Sequence, residues 1–150
     1  MDWEKLVKRY IWDDERTPYF VAVKKLTRRQ ADYEILAYTV FVGVLFFIVA
    51  MISASQNGPY GTSYGAAVYA LSVVCAVIAF LITKHVHAAI YCASAPIAVL
   101  LYLWLYGFHP NLDTIDHLVI IVFMLAWLRY AWRIVAIGRA YDDMPEAPAE

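Results

Sequence analysis

Four residues within nine positions, His109, Asp113, Asp116 and His117, bring two imidazoles and two carboxylates together in the chain. Imidazole nitrogen with carboxylate oxygen can hold a divalent metal. A carboxylate beside a histidine can also relay protons. The same residues have a plainer use, because Asp113 or Thr114 can cap a helix beginning there and Asp116 favours its positive end. His109-Pro110 then belongs to a turn. The spacing matches no particular metal-ligand signature.

A second pair, Arg129 and Arg133, lies four residues apart, so both share one face of a helix. They stand near the end of an apolar stretch, where a buried charge costs a few kcal/mol unless it snorkels or pairs. One reading is a site for an anionic lipid headgroup or ligand. The other is snorkelling, or an ion pair with Glu34 or Asp32 near the start of the first apolar stretch. His85 and His87 are two apart and would point to different sides of a helix. No histidine falls within an apolar stretch at a depth suited to haem. The sequence calls for no cofactor and shows no nucleophile–base pair, phosphate-cradling glycine loop or lipidation signal.

The elements that must position these groups follow from composition. Of 150 residues, 63% are hydrophobic and 17% charged, with mean hydropathy +0.57. Soluble domains run nearer about 45–50% and 25%. A domain of this size buries only about 70% of its chain surface, so the excess cannot be hidden from water. Helical membrane protein is the class that remains. A net charge of −1 offers no whole-chain field for nucleic acid. Cys75 and Cys92 lie in apolar stretches and read as small buried packing residues rather than a disulfide.

Crossing about 30 Å of hydrocarbon takes about 20 apolar residues. Four stretches qualify, at about 35–54, 66–83, 88–106 and 115–138. They lack the polar–apolar alternation of a membrane β-barrel. The expected fold is an all-α integral membrane four-helix bundle. It divides into an arm (1–30), a transmembrane domain (31–138) and an acidic tail (139–150). Within the arm, Trp3, Leu6, Val7, Tyr10 and Ile11 recur at helical spacing and predict an amphipathic helix on the membrane surface.

Lysine and arginine set the orientation. Lys5, Lys8, Arg9, Arg16, Lys24, Lys25, Arg28 and Arg29 precede the first span, Lys84 follows the second, and Arg129, Arg133 and Arg139 end the fourth. The other two loops have none, so the positive-inside bias places both termini in the cytoplasm. The charged N-terminus is not a cleavable signal, and the expected location is a bacterial inner membrane. Thr27-Arg28-Arg29-Gln30 fits a capping box that would start the first helix near Arg28. The middle spans are rich in alanine, serine and cysteine, which predicts a tight hairpin between them. The bulkier first and fourth spans would face lipid or a partner. Pro96 should kink the third span unless neighbouring groups satisfy the carbonyl it frees.

The expected role is a non-catalytic accessory, assembly or scaffolding subunit of a larger membrane complex. Its partners would be anionic headgroups at the cytoplasmic face, together with a membrane protein or further copies of itself, and no nucleic acid. A small oligomeric transporter or channel is the alternative. A membrane enzyme or metal-binding protein built on His109, Asp113, Asp116 and His117 is the third.

Overall fold

In lipid a backbone has no water to bond with, so each segment must pair its own N–H and C=O groups, and helices do this. The computed structural model of the chain describes residues 21–55, 63–108 and 111–146. Four helices account for most of them: α1 (Arg28–Ala54), α2 (Tyr64–Thr83), α3 (Val86–Tyr106) and α4 (Thr114–Ala140). Each is long and apolar enough to cross a membrane. Two short 3-10 turns, Val23–Lys25 and Tyr141–Asp143, flank them, and there is no strand among the described residues. The expected surface helix on Trp3, Leu6, Val7, Tyr10 and Ile11 lies outside the described residues, as does His109.

Local chemistry sets the helix ends. At α1 the Thr27 hydroxyl accepts from the Gln30 amide nitrogen, and the Gln30 side chain accepts from Thr27 N–H at 3.0 Å. This capping box lets α1 begin at Arg28, seven residues before the apolar stretch expected from 35. Asp113 caps α4, accepting from Ile115 and Asp116 N–H at 2.9 Å, while Asp116 reaches back to Asp113 N–H at 3.2 Å. Lys84 adopts the left-handed conformation (φ 57°) and its N–H bonds to Phe80 O. That turn is tight enough that α3 starts two residues later.

The closest helix pairs are α1 with α2 and α3 with α4, and the middle hairpin packs less tightly than either. The small residues expected to make a tight α2–α3 hairpin thus do not make it the most extensive contact of the bundle. The reason is where the smallest residues sit. Gly43 of α1 brings that backbone to Val77 of α2, and Gly138 of α4 admits Ala89 of α3, where a Cβ would fall 3.2 Å from the alanine methyl. Meanwhile Ala79 of the hairpin faces outward. Lipid tails are as apolar as leucine, so such close van der Waals approach is what associates membrane helices. Cys75 is also exposed rather than buried, because α2 buries the stripe Ala67, Ala70, Val73, Val77 and Phe80, and Cys75 is off it. Both cysteines are free thiols.

Pro96 sits inside α3, fully enclosed. It removes the N–H that would bond to the carbonyl four residues earlier. That carbonyl belongs to Cys92, and the Tyr38 hydroxyl of α1 donates to it at 3.3 Å. A neighbouring helix thus supplies the missing donor, and α3 runs unbroken from Val86 to Tyr106.

Candidate functional site

The antiparallel order brings the start of α1, the α2–α3 turn and the end of α4 to one end of the bundle. All eight lysines and arginines of the described residues lie at or near this basic end: Lys24, Lys25, Arg28, Arg29, Lys84, Arg129, Arg133 and Arg139. Two carboxylates from the first turns of α1 organise it.

Glu34 is almost fully buried, with 1% of its surface exposed. Arg133 of α4 grips it with both sides of its guanidinium, Nε to Oε2 at 2.9 Å and Nη2 to Oε1 at 2.7 Å. The remaining Nη1 donates to Val21 O at 2.7 Å, and the Tyr130 hydroxyl donates to Glu34 Oε2 at 3.4 Å. A buried carboxylate is tolerable only with such geometry, because desolvating two charges costs several kcal/mol per ion. Asp32, one helical turn from Arg28, receives Lys84 Nζ at 3.0 Å and the Tyr141 hydroxyl at 2.8 Å on the same oxygen. Arg28 closes the set from the other side. Its N–H bonds to Pro145 O, and its Nη2 donates to Asp142 O at 2.8 Å.

Of the four residues read as an inner-end site, the structure joins Arg133 to Glu34 and gives Asp32 to Lys84 and Tyr141. The ion-pair reading holds for Arg133 and not for Arg129. Arg129 is exposed and makes no hydrogen bond or ion pair among the described residues. Glu34, buried, and Asp32, partly exposed, both serve as ties between separate elements.

At the opposite end, Asp113 and Asp116 meet in the α4 cap. His117 lies with its ring 4.4 Å from that of Phe108, its Nε2 buried and without a hydrogen bond. Among the described residues no three histidines, cysteines or carboxylates lie where they could share a metal ion. His85 is the N-cap residue of α3 and His87 lies in its first turn, both exposed.

A further set of polar contacts sits between α2 and α3. The Tyr69 hydroxyl meets Ser94 Oγ at 2.8 Å, and the Tyr91 hydroxyl meets Ser72 Oγ at 2.7 Å. Each serine proton goes to the carbonyl three residues back, Tyr69 O for Ser72 and Tyr91 O for Ser94. A hydroxyl has one proton to give, so both tyrosines are donors across the gap. Attention to charged residues passes over these groups. The signal was a repeated Tyr-x-x-Ser, at 69–72 and again at 91–94. Residues three apart share a helix face, and antiparallel helices then place each tyrosine opposite the other's serine.

No family model matches this chain, and no curated protein and no solved structure is similar to it.

Proposed function

We propose that this chain is a non-catalytic accessory, assembly or scaffolding subunit of a larger membrane assembly. The observation that carries the proposal is the filled interior. Apolar side chains from all four helices form one continuous core, from Leu26 and Ile35 through Val73 and Cys92 to Ile134. The charged groups of the basic end that reach inward, Glu34 and Arg133, are spent on each other. With the core of the described residues packed with apolar side chains, the outer surface and the basic end are the working parts, and both suit contact with other membrane components. Bulky residues face outward along α1 and α4, among them Val44, Phe47, Met51, Leu118 and Val122. The basic end would face the cytoplasm of a bacterial inner membrane, which the crowding of lysine and arginine there supports.

Purification of the full chain from its native membrane in mild detergent, with crosslinking before extraction, tests the role. A stoichiometric membrane-protein partner, or an oligomer of this chain, is expected. A lone, monodisperse monomer without crosslinks would overturn it. Orientation is tested separately, by reaction of single cysteines placed at Lys84 and at Asn111 with an impermeant thiol reagent, in a background without Cys75 and Cys92. Only the second should be reached from outside the membrane.

A further inference from the structure

α1 and α4 are joined at the basic end by Glu34 and Arg133; elsewhere their backbones approach at few points, and Phe41 reaches across edge-on to Phe123 and Trp127. An open groove of about 340 Å³ lies between them, lined chiefly by Ala37 and Phe41 of α1 and by Phe123, Ala126, Trp127 and Tyr130 of α4. Its size falls within the roughly 300–1,000 Å³ of small-molecule sites. From Phe123 to Tyr130 is seven residues, about 10 Å along the helix axis. That covers part of one leaflet, far less than the ~30 Å track a partner helix crossing the bilayer would follow. The groove runs toward the basic end, where Tyr130 bonds to Glu34 and the Glu34–Arg133 pair closes it.

Beside that closure stands Arg129, adjacent to Tyr130 in the chain and one helical turn before Arg133. Its guanidinium is exposed and lacks a protein partner among the described residues. Lys24 and Lys25, also exposed, lie on the 3-10 turn that packs against α4. An unpaired cation at this depth is costly unless its long stem carries the charge to the interface. Among the anions of a lipid interface, a phosphate is one that a guanidinium recognises with paired hydrogen bonds.

We propose that this groove seats an acyl chain of an anionic phospholipid from the leaflet on the basic side, with its phosphate held by Arg129 and the field of Lys24 and Lys25. The apolar lining takes the chain and the unpaired arginine selects the headgroup. The inference rests on the membrane-spanning fold and is independent of the accessory role, which fails or survives by protein partners alone.

The test uses the full chain in nanodiscs of equimolar phosphatidylglycerol and phosphatidylcholine, released into native mass spectrometry. Wild type should retain phosphatidylglycerol over phosphatidylcholine by about fivefold, the equivalent of ~1 kcal/mol for a basic residue at the interface. Arg129→Gln should bring the ratio near one. Ala126→Phe, or Ala37→Phe from the other wall, should remove the retained lipid of either kind. Photocrosslinking needs no groove-filling variant. A phosphatidylglycerol with a photoreactive acyl chain should label Phe41 and Phe123 several-fold more than Ile78 on the outward face of α2. Equal retention of the two lipids, a preference unchanged in Arg129→Gln, or even labelling would overturn the proposal. So would loss of a co-purifying protein rather than of lipid on filling the groove.

Discussion

The two ends of this bundle are tied by different kinds of contact. At the basic end, the bonds run between residues far apart in the chain: Glu34 to Arg133, Asp32 to Lys84 and Tyr141, Arg28 to Asp142 and Pro145. Together with the Arg133 bond to Val21 O, they involve both flanking segments, two of the helices and the α2–α3 turn. At the other end, Asp113 and Asp116 cap α4 across three residues, and Ser63 N–H bonds to Ser53 O to close the first loop. One end fixes helices relative to each other, and the other fixes where helices begin. Formal charge is concentrated at the basic end, and uncharged hydroxyls link helices deeper in the bundle. If this contrast is right, variants should lose stability in order of how many separate elements a residue joins and how completely it is buried.

The largest effect is expected at Arg133. Arg133→Ala would leave the Glu34 carboxylate buried without its partner, a loss of about 3–5 kcal/mol, read as a lowered midpoint of thermal unfolding in detergent. Replacing both members, as Glu34→Leu with Arg133→Met, should recover most of it, because an apolar pair of similar volume has no charge to desolvate. Arg129→Ala, one turn away and exposed, should stay within about 0.5 kcal/mol of wild type. Equal losses at the two arginines would erase the distinction between a tie and a free cation.

Next comes Tyr38, whose hydroxyl meets the carbonyl that Pro96 frees. Tyr38→Phe should cost about 1–3 kcal/mol by leaving Cys92 O buried and unsatisfied. In a Pro96→Ala background, residue 96 regains an N–H and can bond to that carbonyl itself, so the same change should cost much less. A double-mutant cycle over these four proteins reads the coupling directly. Additive losses would mean that the tyrosine packs without serving the proline.

These two sites show what a sequence discloses. The four spans were legible because hydrocarbon thickness demands long apolar runs, and the start of α1 because Thr27 and Gln30 carry a local code. The possible need of a partner for Pro96 was legible too, since a proline always frees a known carbonyl. Tyr38 as that partner was not, because it depends on how α1 turns against α3. The choice of Arg133 over Arg129 for Glu34 was hidden for the same reason. Both arginines satisfy the spacing, and only the rotation of α4 decides which points inward. The groove was hidden as well, since it is defined by how α1 and α4 approach each other.

A smaller effect is expected at the opposite end. Asp113→Ala removes the cap of α4 and should cost about 1 kcal/mol. Its influence should stay local, with hydrogen exchange rising in the first turn of α4 and little change at Arg133. Spreading of exchange to the basic end would show that the two ends are coupled.

The smallest effect belongs to the hydroxyl pairs between α2 and α3. Tyr69→Phe and Ser94→Ala each break the same hydrogen bond, so the double variant should cost no more than the worse of the two singles. Their coupling energy should be about 0.6 kcal/mol, since hydrogen bonds between membrane helices are modest when the separated helices find other partners. The Tyr91–Ser72 pair, made by the second copy of the same four-residue pattern, should show a similar value. Tyr91 lies on a more exposed face than Tyr69, so any difference should favour the Tyr69 pair. A coupling above that of Tyr38 with Pro96 would reverse the order, and would place the main lock of the bundle in its hairpin rather than at its charged end.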